Sequence, residues 1–323
     1  MSAVEAPFEP ARRPLSGRRV RVGDRALELV TASAATAALV LVALIAWKLV
    51  AGALPSLDRF GIGFIWRVAW DPTVSKLYGA GSFLFGTAVT SLAALALAAP
   101  LALGIALYLT ELAPPFLRGP VTALVETLAA VPSVVIGLWG ILVLGPALRD
   151  HVEPVLHRTL GFLPLFGAPN AASSSVFTAI VVLAIMTLPI VSSVSRELFL
   201  SVPRELKEGA LALGTTRWEM IRGVVFPYAR GGIAAALILG LGRAVGEAIA
   251  VTQVIGGGVA VHANLFATGD TLASKIAASY QGATSDLEIG SLVYLALILM
   301  AFSLLVNLSA QLIVRRISRR GPA

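Results

Sequence analysis

"SVPRELKEGALALGTTRWEMIRGVVFP", residues 201–227, is a polar stretch lying between two apolar runs, and its grammar is helix, break, helix. Pro203 suits a helical first turn, and Glu205 and Glu208 fall early in the helix, where the macrodipole favours negative charge. Gly214 can take the left-handed conformation that ends a helix. Thr216 and Glu219 stand at capping-box spacing, which predicts a second short helix from Arg217 towards Pro227. The first helix is about ten residues long, marginal alone in water. It carries Leu206, Ala210 and Leu213 on a narrow apolar face that needs something to pack against. On physics alone two partners stay open. A lipid surface suits Arg217, Trp218 and Arg222, whereas a protein cleft suits the small residues Gly209, Ala210, Ala212 and Gly214.

The flanking runs are long enough to cross a bilayer, and they are two of six. A helical crossing needs about 20 mostly apolar residues, because every backbone polar group must be satisfied within the segment. Such stretches run over 30–47, 82–110, 127–148, 176–195, 231–255 and 289–314. The first exceeds the roughly 7–15 apolar residues of a signal peptide and is read as a membrane helix. Pro100, Pro132 and Pro189 lie within the spans and predict kinks. With 57% hydrophobic and only 13% charged residues, the 323-residue chain is too apolar for one soluble core and reads as an all-α integral membrane protein.

Basic residues set the orientation. Arg12, Arg13, Arg18, Arg19, Arg21 and Arg25 precede the first span; Arg204, Lys207, Arg217, Arg222 and Arg230 follow the fourth; Arg315, Arg316, Arg319 and Arg320 end the chain. All three clusters fall on one side if the spans alternate, which predicts that both termini and the 201–227 loop are cytoplasmic. The chain then divides into a basic tail (1–29), a six-helix permease domain (30–314) and a short basic C-terminal tail (315–323). Segments 48–81, 149–175 and 256–288 face outside as loops. This placement accounts for the net charge of +7 without nucleic acid as a partner. Membrane lipid is the expected surrounding.

Enzyme chemistry is not expected. Cysteine is absent, which excludes disulfides and thiol catalysis, and His151, His157 and His262, all read as loop residues, show no metal-site spacing. There is no Ser/His/Asp arrangement, no cofactor motif and no Gly-x-x-x-x-Gly-Lys-Ser/Thr phosphate loop, so ATP hydrolysis, if it drives this chain, belongs to another subunit.

Within the fifth span, "GLGRAVGEAIAV", residues 240–251, places Arg243 and Glu247 four positions apart. Arg243 lies about 18 Å into the helix, near the bilayer midplane. A lone arginine there costs about 2.5–3.5 kcal/mol, so it faces protein or water rather than lipid. On a continuous helix Glu247 shares its face, which permits an internal ion pair. Replacing a buried pair by apolar residues is often neutral or stabilising, so fold stability gives little reason to keep one. A guanidinium offers several donors in a planar fork matched to oxyanions. These considerations make Arg243 and Glu247 candidate residues of an anion path, with Glu247 either holding Arg243 when the site is empty or accepting a hydrogen bond from a protonated oxyanion. Gly240, Gly242 and Gly246 allow a neighbouring helix to come close. Asn307 and Gln311 in the sixth span are expected to bond between helices.

The 201–227 loop resembles the EAA loop of ABC importer permeases, Glu-Ala-Ala, three residues, Gly, nine residues, then Ile-x-Leu-Pro. The matching positions are Glu208, Gly209, Ala210, Gly214, Val224, Phe226 and Pro227, with Gly209 in place of the first alanine, Val224 of the isoleucine and Phe226 of the leucine. Glycine at 209 softens the helix by about 0.5–1 kcal/mol relative to alanine. "GRAVGEAIAV", "VPSVVIGLWG" (131–140) and "FPYARGGI" (226–233) resemble recurring segments of the phosphate ABC importer permeases, and "GEAIAV" with "WDP" (70–72) favours the PstC type over its PstA-type relative. The resemblance implies a type I ABC importer permease fold in a bacterial cytoplasmic membrane. It implies as partners a homologous PstA-type permease, two PstB-type cytoplasmic ATPases that grip the 201–227 loop, and a PstS-type extracytoplasmic phosphate-binding protein. A permease for sulfate or molybdate, and a proton-coupled secondary transporter using Glu247, are the rival readings.

Overall fold

The computed structural model describes residues 22–319. Among them are thirteen α-helices: α1 Val22–Phe60, α2 Gly81–Leu107, α3 Pro115–Ala130, α4 Ser133–Trp139, α5 Gly145–Ala147, α6 Glu153–Leu160, α7 Val176–Leu200, α8 Arg204–Ala212, α9 Arg217–Met220, α10 Phe226–Gly246, α11 Ile249–Val254, α12 Leu272–Ser279 and α13 Asp286–Arg319. Six helical stretches among the described residues are long and apolar enough to cross a membrane: Arg25–Ile65, Gly81–Leu112, Ser133–Leu160, Val176–Leu200, Arg217–Gly246 and Asp286–Leu312. The chain forms two units, Met1–Lys48 and Leu49–Ala323. The described part of the first is helical throughout. The arginines at 12, 13, 18, 19, 21 and 320 lie outside the described residues.

In the second unit, α2 and α7 form the central pair. Ala94, Ala98, Ala102 and Ala106 recur every fourth residue of α2 and are all fully buried. Small side chains in register let two helix backbones approach closely where lipid supplies no hydrophobic drive for association. One apolar cluster joins Ala94 and Ala98 to Ile136 of α4, Ala179, Ile180, Val182 and Leu183 of α7 and Ala250, Val251 and Val254 of α11. A second, towards the start of α2, gathers Ala53, Phe64, Tyr78, Phe83, Leu272, Leu292 and Leu295. A third, at the opposite end, holds Ala106, Phe199, Met220, Ile221, Val225 and Ala229.

Several spans depart from their expected limits, each for a local reason. The first helix starts at Val22, inside the stretch read as tail, and continues to Phe60, beyond the expected loop boundary. Segment 127–148 is not one span. Val131, extended at φ −65°, ψ 127°, separates α3 from α4, because a residue before proline is pushed out of the helical region. Pro132 therefore starts a helix rather than kinking one. Past Trp139, π turns and short α segments carry the chain helically to Leu160, so His151 and His157 are helical residues. Arg149 and Glu153 in this stretch bond to the segment that follows it. Arg149 pairs with Asp150 at 2.7 Å and donates to the Ala171 carbonyl and to Ser173, while buried Glu153 accepts from Ser175. Segment 48–81 contains a small antiparallel hairpin, β1 Trp70–Asp71 and β2 Leu77–Tyr78. Trp70 packs edge-on to Tyr78 and Phe83, and Asp71 accepts from the backbone N–H groups of Thr73, Val74 and Ser75. The Ser75 bond leads in holding the Asp71 carboxyl well below the usual carboxylate range, so this turn's support is present above that range and lost in acid.

Candidate translocation groove and coupling loop

Thr216 opens the helix that carries Arg243. Its hydroxyl accepts from the Glu219 N–H at 3.3 Å, and the Glu219 carboxylate accepts the Thr216 N–H at 2.8 Å, which completes the expected capping box. The second helix does not end near Pro227. It runs through a π turn, Ile221–Val225, directly into α10. Proline lacks an N–H and its ring crowds the preceding turn, and the wide π turn accommodates both effects immediately before Pro227. From Phe226 to Arg243 the helix rises about 26 Å.

The helix then stops. Glu247 is extended at φ −72°, ψ 118°, and α11 begins at Ile249. This corrects the expectation of a continuous fifth span in which Arg243 and Glu247 share one face. The Glu247 Oε1 instead accepts the Ala250 N–H at 3.4 Å, at the start of α11. Arg243 and Glu247 form no ion pair; among the described residues such pairs are Arg149–Asp150, Arg196–Glu197 and Lys207–Glu111. Arg243 is exposed and Glu247 half-buried, and both line an open groove of about 590 Å³ with Ile190, Ile238, Leu239, Gly242, Gly246 and Asn307. A break in a membrane helix is tolerated only where protein covers it or water reaches it, and this one opens into the groove. Of the three glycines, Gly240 alone allows a close helix approach, since a Cβ there would meet Val191 and Thr187 of α7 at 2.6 and 2.9 Å. Asn307, expected to bond between helices, makes no hydrogen bond among the described residues. It lines the same groove as Arg243, a placement that no local pattern in α13 signals.

The break is held from α4. A Cβ at Gly137 would lie 2.8 Å from the Ala250 Cα, and one at Gly140 would lie 2.8 Å from Val254. The glycines of "VPSVVIGLWG" thus let α11 rest against α4 where larger side chains would push it away.

In the 201–227 loop, α8 starts one residue after Pro203, and Gly214 takes φ +85°, the left-handed conformation that ends it. Glu208, Gly209, Leu206, Leu213 and Trp218 are exposed, and Ala210 is half-buried against the third cluster. The apolar face is therefore mostly free. Lys207, beside Glu208, is half-buried, and its Nζ lies 2.5 Å from Glu111 Oε1.

Residues 98–319 match the family described as "Binding-protein-dependent transport system inner membrane component". Over its whole length, and that of the relative, the chain is 39% identical to "Phosphate transport system permease protein PstC" of Mesorhizobium japonicum. The chain belongs to the PstC permease family. A protein of the same name from Pasteurella multocida is 41% identical across 87% of this chain and 88% of its own, and PstC 2 of Mycobacterium tuberculosis is 40% identical across 96% and 97%. The permease also shares its fold with a chain of a bacterial alginate ABC transporter solved with its alginate-bound periplasmic protein, at TM-score 0.61 and 18% identity, covering 93% of this chain and 99% of that one. An inward-facing MetNI methionine ABC transporter aligns at TM-score 0.54 and 19% identity over 73% of this chain and 94% of its own. The fold is that of a type I ABC importer permease. Six apolar helices and the family place the permease in the cytoplasmic membrane as a transport subunit rather than an enzyme.

Proposed function

We propose that the permease conducts inorganic phosphate inward, driven by ATP hydrolysed in a separate subunit. The observation that carries this reading is the exposed guanidinium of Arg243, without an ion-pair partner among the described residues, in an open groove at a helix break. Such a cation is available to an oxyanion without first having to be released from a carboxylate. Glu247 holds the start of α11 and lies beside the path, where its carboxylate can accept a hydrogen bond from a protonated phosphate. A role for it in restraining Arg243 has no support in the observed geometry. The names of the relatives favour phosphate. Both termini and the 201–227 loop are assigned to the cytoplasm, with the arginine clusters as the reason. The companions we propose are a PstA-type permease lining the opposite wall, two PstB-type ATPases and a PstS-type binding protein.

Within this assembly Glu208, Gly209, Ala210 and Gly214 form the docking turn for the ATPase, and Pro227 marks the join to α10. Because Glu208 is exposed, Glu208→Arg should leave the fold intact. It should lower hydrolysis stimulated by the loaded binding protein by roughly tenfold, the size of a typical coupling free energy. Unchanged co-purification together with unchanged stimulated hydrolysis would count against docking.

A guanidinium fork also suits sulfate and molybdate. Labelled phosphate uptake by cells expressing the full transporter, challenged with excess of either anion, separates the readings. Phosphate transport should resist both competitors, and equal displacement by either would transfer the assignment to that oxyanion.

A further inference from the structure

The loop proposed to grip the ATPase must also be fixed to the helices that form the groove, and packing does little of this. None of the nine residues of α8 is buried. The firm attachment is the ammonium of Lys207, which lies 2.5 Å from Glu111 Oε1 and donates to the Phe199 carbonyl at 3.1 Å. The two side chains are only 16% and 10% exposed. Among the described residues this is the ion pair that joins separate elements, since the other two link sequence neighbours. Glu111 lies in the π turn, Tyr108–Leu112, that ends the α2 span. Phe199 lies in the last turn of α7, where carbonyls have no helical partner. One ammonium therefore pins the loop to the ends of both central helices.

From Phe199 the line of contact to the groove is short. Its ring packs edge-on to Phe226 at the start of α10, with centroids 5.9 Å apart. About 13 Å back along α7, Ile190 forms part of the groove wall and Val191 abuts Gly240, three residues before Arg243. A displacement of α8 carried into α7 thus reaches Arg243 through packed, contiguous groups.

We propose that Lys207 is the positioning residue that transmits movement of the cytoplasmic loop to the translocation groove, through Glu111 to α2 and through the Phe199 carbonyl to α7. This rests on the reading that the loop docks on an ATPase. It adds that Glu208 faces the partner while its neighbour Lys207 grips the membrane helices.

The test uses the complete transporter in proteoliposomes with its ATPase and binding protein, and reads phosphate transported per ATP hydrolysed. Lys207→Met combined with Glu111→Leu replaces the ion pair by apolar groups without leaving an orphan charge, an exchange that is often neutral for stability. The double variant should assemble and hydrolyse ATP, while phosphate moved per ATP falls about fivefold or more. Lys207→Arg, which can keep both bonds, should stay close to the parent. A parental ratio in the double variant, or an equal fall in Lys207→Arg, would overturn the proposal. If the double variant does not assemble, Glu111→Gln decides: it keeps an acceptor for Lys207 but removes the charge, so a reduced ratio supports the proposal and a parental one rejects it. Failure of the docking reading itself would appear elsewhere, as indifference of the ATPase to Glu208→Arg.

Discussion

Arg243→Ala is expected to reduce phosphate uptake by roughly a hundredfold, corresponding to about 3 kcal/mol, the upper end of what a charged hydrogen-bonding group contributes. Assembly should survive. Arg243 is exposed and makes no ion pair, so its removal leaves neither a cavity nor a stranded charge in this chain. Arg243→Lys should fall between parent and alanine variant, because an ammonium preserves the positive potential but not the two-pronged donor geometry. The measurement is initial uptake of labelled phosphate at limiting concentration, normalised to the amount of complex recovered from the membrane. Parental uptake by a fully assembled alanine variant would remove Arg243 from the path.

Gly137→Val should also be damaging, by a different route. A Cβ at 137 would stand 2.8 Å from the Cα of Ala250 and 2.9 Å from the Gln253 Oε1. The first of these neighbours is backbone and cannot rotate away, so α11 must shift as a unit. Overpacking of this kind costs about 1–3 kcal/mol. The shift also disturbs the Glu247–Ala250 hydrogen bond that starts α11, and with it the groove. The expected result is a lower melting temperature of the detergent-solubilised complex and uptake reduced by about tenfold or more, a barrier increase of only about 1.4 kcal/mol. A variant that melts and transports like the parent would show that α4 does not hold the break in place.

The local shape of the 201–227 loop is legible in almost every detail because its determinants are short-range. The Thr216–Glu219 box, the left-handed Gly214 and the early acidic residues all act within one or two helical turns. The second helix differs from its expected form only in length, since a π turn beside Pro227 leaves no trace in apolar periodicity. The six spans are legible from hydropathy, but not their limits. Arg149 and Glu153 look like loop residues until their partners at 171, 173 and 175 are seen.

Arg243 and Glu247 stand out by their cost in lipid, which needs no structure. Their relationship does not. An i, i+4 argument presupposes an unbroken helix, and here the helix ends between them, with α11 resting on Gly137 more than a hundred residues earlier in the chain. Asn307 and the Lys207–Glu111 joint are hidden for the same reason, since their neighbours come from distant helices. The amino-acid order by itself determined the number of apolar helices, the turn of the 201–227 loop and the presence of a cation within an apolar helix, because each depends on local propensity or on transfer from water to lipid. The tertiary structure decided where the fifth helix breaks, which groups share the groove and what fastens the loop, because those depend on which backbones can approach each other across the bundle.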